Sequence, residues 1–369
     1  MVREITRFES GIEQLVVRLY APDQLVPQVA SAGISHSTLD LDSSHSGWNW
    51  PIGAARLRKV IRAFEPDVIH SSLFSANLVA QLASRVEQIP VLSTFTLSGD
   101  VELVRSYQPG ASSRRASALR SIAGWAARSD HVWFRAITSD ALTTNCQALG
   151  VSESRGVLIP RGVPMLDLKQ EALSREELGL PGGLPIVLNV GRQTTQKGHK
   201  HLIAALEVLQ HSRSAHLVII GREGDGSSAL RTAIDESNLE DHVTVIPYTD
   251  RVNDFLLAAD VFAFPSLMEG LGTAILEAMA ARLPVVAFDI PPIREITDHG
   301  RVARLVPVGD TEALATALGR ALGADQTIRH MTDEAHHWVS ENYSLHRVSV
   351  RLQDRLHQLC SIRLRAGSR

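Results

Sequence analysis

The 369-residue chain is poor in several things, and each shortage removes a class of protein. It has only two cysteines, Cys146 and Cys360, far apart and without metal-ligand spacing. That excludes a disulfide scaffold and points to a reducing compartment. No apolar run approaches the roughly 20 residues that a membrane-crossing helix needs. The N-terminus, MVREITRFES, is polar and lacks the apolar core of a secretory leader, so a cytoplasmic protein is expected. Formal net charge is only -3, so no global field attracts nucleic acid and none is expected as a partner. There are no internal repeats and no low-complexity segments. What is present is 44% hydrophobic and 21% charged residues, in a chain long enough for two α/β domains, each with its own core.

The most informative stretch is Pro265–Ala281, PSLMEGLGTAILEAMAA. Before it, Val261–Pro265 reads as a short buried strand; after Thr273 comes a helix-forming run. Strand, glycine-containing loop and helix start together leave free N–H groups at the positive end of a helix dipole, which suits phosphate. Thr273 is the expected N-cap. Glu269 lies in the loop and Glu277 about one turn into the helix, with seven residues between them. Carboxylates beside a phosphate are repelled unless they meet hydroxyls, which a sugar or ribose supplies. Two incidental glutamates on an ordinary αβ unit are the plainer alternative.

Upstream, Ile186–Val190 reads as a strand, followed by Gly191-Arg192 and then by Lys197-Gly198 ahead of a helix over His201–Gln210. Gly191 permits a tight turn, Arg192 offers a fork for phosphate oxygens, and Lys197 offers a point charge. Taken alone, they read more readily as two ordinary surface cations in a loop. Further strands are expected at His216–Ile220, Val243–Ile246 and Val285–Phe288. Tyr248 is placed either to stack on a base or to pack in its loop.

Together, Glu269 and Glu277, the flanking PS and LEAMA residues and the downstream Leu283–Asp289 (LPVVAFD) resemble the E-x7-E signature of retaining glycosyltransferases of family 4. The resemblance implies an α/β GT-B fold, two Rossmann-like doubly wound domains facing a cleft. It implies an acceptor-side domain over 1–164, a nucleotide-sugar domain over 165–345, and a C-terminal helix over 346–369 crossing back to the first. Arg192 and Lys197 would neutralise the donor diphosphate, Glu277 would take the ribose hydroxyls, and Glu269 would face the donor sugar. Gly191, Gly270, Leu271, Gly272 and Thr273 would line the donor. Catalysis would rest on Arg192, Lys197 and Glu269, without a metal or other cofactor. The donor would be a UDP- or GDP-sugar, and the acceptor a glycan or a lipid-linked molecule. A sugar-nucleotide-binding protein without transfer and a GT-B epimerase are the alternatives.

The N-terminal half departs from the family pattern. The usual first strand, glycine-rich loop and helix have no counterpart, which implies up to one missing strand–helix unit of about 30 residues; alternatively, Glu13–Tyr20 takes that place. His70 matches a family histidine, but Thr96 stands where an acceptor-placing histidine is usual, and Arg161 replaces an asparagine. A strand is expected at Ala136–Ser139, before a helix from Asp140 to Leu149 ended by Gly150. Between Val101 and Ala136, six arginines (Arg105, Arg114, Arg115, Arg120, Arg128, Arg135) interleave with Trp125, Trp133 and Phe134. Such a face suits peripheral contact with an anionic inner membrane surface, or is simply a solvated helix over core tryptophans. In the tail, Val348, Leu352, Leu356 and Leu359 recur at helical spacing.

Overall fold

A computed structural model describes residues 2–5, 11–20, 26–42, 49–97, 113–166, 173–323 and 325–367. Chain contacts divide it into two units: Met1–Gly162 with Leu345–Arg369, and Val163–Ser344.

The first unit runs α1 (Val2–Ile5), β1 (Leu15–Arg18), α2 (Val26–Ser31), β2 (Ser35–Thr38), α3 (Trp50–Phe64), β3 (Ile69–Ser72), α4 (Phe74–Glu87), β4 (Val91–Phe95), α5 (Ser113–Ala127), β5 (Val132–Ala136), α6 (Ser139–Leu149) and β6 (Gly156–Leu158). All its strand pairings are parallel, but they form two sheets: β1 pairs with β2, and β3-β4-β5-β6 form the other. Among the described residues β1 pairs with β2 alone, so Glu13–Tyr20 does not take a central place. Both sheets feed one core, in which Val17 and Ile69 join Leu39, Leu41, Leu57, Val79 and Val91.

The C-terminal helix, Leu345–Gly367, belongs to this unit. Val348, Leu352, Leu356 and Leu359 are buried with Leu92 and Ile159, which explains their spacing. α6 ends at Gly150 with φ 63, the left-handed cap expected of that glycine.

The strand expected at Ala136–Ser139 lies earlier, at Val132–Ala136, and Ser139 opens α6. The shift has a cause that no local pattern reveals: Arg135 is a core residue, only 1% exposed. Its guanidinium donates to both Glu4 carboxylate oxygens, at 2.8 and 3.1 Å, and to the carbonyls of Ile159 and Pro160. The Gly162 amide donates to Glu4 at 3.2 Å, and Ser349 Oγ to its carbonyl at 3.0 Å. Burial pushes the Glu4 carboxyl up, but Arg135 outweighs it and holds the group below its ordinary value. One ion pair thus ties together α1, β5, the exit of β6 and the C-terminal helix.

The basic, aromatic face expected around residues 101–136 is correspondingly smaller. Phe134 is fully buried, and Arg355 lies over the Trp133 ring at 4.9 Å. Arg105 and the side chains of Arg114 and Arg115 lie outside the described residues. At the surface are Arg128, half-buried Arg120 and Trp125, which is 51% exposed with the Arg85 guanidinium 4.0 Å above it. Among the described residues, no helix is long and apolar enough to cross a membrane.

The second unit runs β7 (Ile186–Val190), α7 (His199–Gln210), β8 (His216–Ile220), α8 (Ser227–Glu236), β9 (Val243–Ile246), α9 (Val252–Ala258), β10 (Val261–Phe264), α10 (Thr273–Ala280), β11 (Val285–Phe288), α11 (Pro291–Ile296), β12 (Arg304–Val306), α12 (Thr311–Ala321) and α13 (Gln326–Asn342). Its six strands form one parallel sheet in the order β12-β11-β10-β7-β8-β9. Val187, Leu217, Ala263 and Phe288 face a core with Leu202, Leu206, Leu314 and Leu318 of α7 and α12. The alternate residues Leu188, Val218, Phe262 and Phe264 are equally buried. Both faces are therefore covered, the condition under which a wholly parallel sheet is stable.

Candidate donor site at the switch point of the second unit

Strand order reverses beside β7: the chain builds outward through β8 and β9 on one side, and through β10, β11 and β12 on the other. In an open α/β sheet the loops leaving the carboxyl ends of the strands at such a point part, and ligands settle there. Here those loops are Gly191–Gly198 after β7 and Pro265–Gly272 after β10. They carry most of the residues singled out from the sequence.

The two loops meet closely. Gly198 has φ 67, and a Cβ on it would stand 1.9 Å from the Pro265 carbonyl oxygen. The Leu267 amide donates to the Gln196 carbonyl at 2.8 Å. This contact brings Lys197 Nζ within 2.5 Å of Glu269 Oε1, with side chains 17% and 10% exposed. Lys197 also lies 5.2 Å from the centre of the Phe264 ring, and its stem runs over Gly191. Arg192 follows Gly191 and is exposed, with no ion-pair partner among the described residues.

At the head of α10, the cap is Gly272 rather than Thr273. Gly272 has φ 82, and no side chain caps this end. The reason is steric. That backbone suits glycine, and a Cβ there would stand 2.6 Å from Ile293 Cδ1. Thr273 becomes the first helical residue and, with Glu277 one turn on, is half-buried, while Ile275 and Leu276 face the core. Leu271 is 3% exposed, so only its main chain is available to a ligand.

Sequence reasoning missed the groups that hold these loops in place. Gln193, 2% exposed, donates from Nε2 to the Gly221 carbonyl at 2.9 Å, and its own carbonyl accepts from Gly226. Gly221, Gly224 and Gly226 pack closely on the same loop: a Cβ on each would stand 1.8, 2.9 and 2.8 Å from backbone atoms of Gly191, Gln193 and Thr194. Asn189 donates to the Ala263 carbonyl at 2.8 Å, and its Oδ1 lies 3.1 Å from His199 Nε2. Burial, aided by the Lys197 charge, pushes His199 down to about 4, so it is neutral near pH 7. A buried amide and histidine at either end of a glycine loop were the available signal. Tyr248 is 65% exposed, with Arg222 4.8 Å from its ring centre.

The two acceptor-side candidates, His70 and Thr96, lie in the first unit. His70 Nε2 is 2.9 Å from Thr94 Oγ1, and burial, with the Arg135 charge, pushes the imidazole down to about 3. Thr96 is 8% exposed.

Comparison with known proteins bears on the family and the fold. A family model described as glycosyl transferases group 1 matches residues 170–338, and one described as a glycosyl transferase 4-like domain matches 6–162. The phosphatidyl-myo-inositol mannosyltransferase of Mycobacterium leprae is 31% identical over 281 residues, 74% of this chain and 69% of the relative. The chain belongs to the group 1 glycosyl transferases. The amylovoran biosynthesis glycosyltransferase AmsK of Erwinia amylovora is 36% identical over 142 residues, but the match spans only 36% of this chain and 35% of AmsK. Among solved structures, Anabaena HepE in complex with UDP superposes with a TM-score of 0.79 at 19% identity, covering 97% of this chain and 94% of HepE. That likeness shows the GT-B fold.

Proposed function

We propose that the chain is a retaining glycosyltransferase that moves a sugar from a nucleoside diphosphate to a glycan or lipid-linked acceptor, in polysaccharide or glycolipid assembly. The observation that carries this is the meeting of Lys197 and Glu269 at the switch point, a cation for phosphate beside a carboxylate for hydroxyls. Family membership supports it, as does the UDP held by the HepE structure.

In this mechanism Arg192 and Lys197 stabilise the charge that grows on the leaving diphosphate, electrostatic work that a metal ion performs elsewhere. Glu277 accepts hydrogen bonds from the ribose hydroxyls, and Glu269 from the sugar. Main-chain groups of Gly270 to Thr273 hold sugar or phosphate oxygens. The acceptor attacks on the face the diphosphate leaves, and a phosphate oxygen takes its proton. The C1–O bond to phosphate breaks as the bond to the acceptor oxygen forms, so configuration is kept. The protein acts in the cytoplasm, and Arg85 and Trp125 give it a place to touch anionic lipid. Flotation that is equal on neutral and anionic vesicles excludes that contact.

The test is acceptor-dependent release of nucleoside diphosphate from UDP- and GDP-sugars, with EDTA added to check that no metal is needed. Saturable donor binding without release would mean a binding protein. The buried Thr96 and the tied-up His70 are what favour that second reading. Product from donor alone would mean an epimerase.

A further inference from the structure

The phosphate anchor and the sugar anchor of the proposed site are each other's partner. Lys197 Nζ sits 2.5 Å from Glu269 Oε1, and both side chains are largely withdrawn from water. In such a place a charge is costly unless it is paired. A bound diphosphate competes with Glu269 for Lys197 and brings negative charge beside the carboxylate. A complete nucleotide-sugar compensates, because the sugar hydroxyls donate to the carboxylate that Lys197 has released. A bare nucleoside diphosphate offers no such donors.

We propose that Glu269 is a built-in counter-anion that sets donor against product: it yields Lys197 to a nucleotide-sugar and takes it back once the sugar has gone, lowering affinity for the spent diphosphate. This rests on the nucleotide-sugar reading above. The same carboxylate therefore recognises the substrate and hastens product release. Glu269 follows directly on exposed Leu267 and Met268, in the loop after β10 rather than inside a strand or helix.

The experiment measures binding of UDP, GDP and the matching nucleotide-sugars to the full chain by titration calorimetry, with circular dichroism confirming that each variant folds. Glu269→Gln removes the competing charge and keeps the shape. It should bind the bare diphosphate about tenfold more tightly than wild type, as expected from removing a like charge near a phosphate, and bind the nucleotide-sugar less tightly. In a Lys197→Ala background the same substitution should lose at least half of its effect on the diphosphate, since the exchange of Lys197 is then gone. Glu269→Asp, one methylene shorter, replaces the glutamine variant if that fails to fold, and should tighten diphosphate binding about two- to threefold. Unchanged or weaker diphosphate binding by the folded variant overturns the proposal while leaving the donor site standing. If wild type binds no nucleotide at millimolar concentration, the donor site and the proposal fall together.

Discussion

The two α/β units solve the same problem differently. The second lays six parallel strands in one sheet, buries both faces in aliphatic and aromatic side chains, and gathers polar residues at the loops leaving β7 and β10. The first divides its strands between two sheets and carries charge inside. Arg135 and Glu4 are both about 2% exposed, and Ser71, Asn77, Gln81 and Ser93 form a buried hydrogen-bonded chain beside β3 and β4. In the second unit polar groups gather at the two loops of the proposed site, where Gln193, Asn189 and His199 brace them; in the first, many hold the chain together far from any such loop.

The largest effect expected from this contrast is on stability in the first unit. Glu4→Ala strands a buried guanidinium, which costs about 3–5 kcal/mol. Replacing both partners by apolar residues should cost less than either single change, because no charge is then left alone. Urea unfolding of the full chain, followed by fluorescence and by proteolysis, measures this. A loss below about 1 kcal/mol would mean that the pair is ornament, and the contrast would fail.

Next comes the chemistry of the second unit. Arg192→Ala and Lys197→Ala should each lower kcat/KM for sugar transfer roughly a hundred- to a thousandfold, the usual loss on deleting one group that stabilises a growing anion. Arg192→Ala should leave the unfolding midpoint nearly unmoved, since Arg192 is exposed, whereas Lys197→Ala should lower it, since the withdrawn Glu269 carboxylate is then unpaired. Wild-type rates in both variants would remove the donor site from these loops.

How much of this was legible in the sequence follows from the same contrast. The two loops proposed to hold the donor could be picked out because their pattern is local: Gly191, Arg192, Lys197 and Gly198 stand within eight residues, as do the glycines and threonine between Glu269 and Glu277. The tail was readable because Val348, Leu352, Leu356 and Leu359 obey one helical period. Arg135 was misread as part of a surface because its partner, Glu4, is 131 residues away. Thr273 was misread as a cap because threonine is a good one, whereas the cap is Gly272, at positive φ and with no room for a Cβ beside Ile293, brought in from α11. Gly198 was legible as a motif residue but not as the point where β10 presses on the β7 loop.

That contact gives the third expectation. Gly198→Ala adds a Cβ 1.9 Å from a backbone oxygen at positive φ, so the loop must shift, at a cost of about 3 kcal/mol. Gly309→Ala is the control. Its φ is 82, but the nearest atom is 3.9 Å away, so only the backbone penalty of about 1 kcal/mol applies. Gly198→Ala should also displace Lys197 and weaken nucleotide binding, and Gly309→Ala should not. Equal losses of stability in the two variants would show that close packing of the loops is not what fixes the site.

The smallest effect at neutral pH is titration, and it reaches both units. His199 is held down to about 4 by burial and the Lys197 charge, and His70 to about 3 by burial and Arg135. An unfolded histidine titrates near 6.5. Between that value and the folded one, the unfolded chain binds more protons, so stability rises with pH across the window and is lost as pH falls through it. Above about pH 7 both forms are neutral and neither residue contributes to pH dependence. The His199 shift corresponds to on the order of 3 kcal/mol at the acid end. His199→Gln keeps a hydrogen-bonding side chain for Asn189 and removes the titration. It should flatten the decline between about pH 6.5 and 4, while His70→Gln should flatten a decline that continues lower. Should the slope survive both substitutions, the acid sensitivity lies in the carboxylates, with Glu4 foremost: its lowered value stabilises above the ordinary carboxylate range and is lost below it.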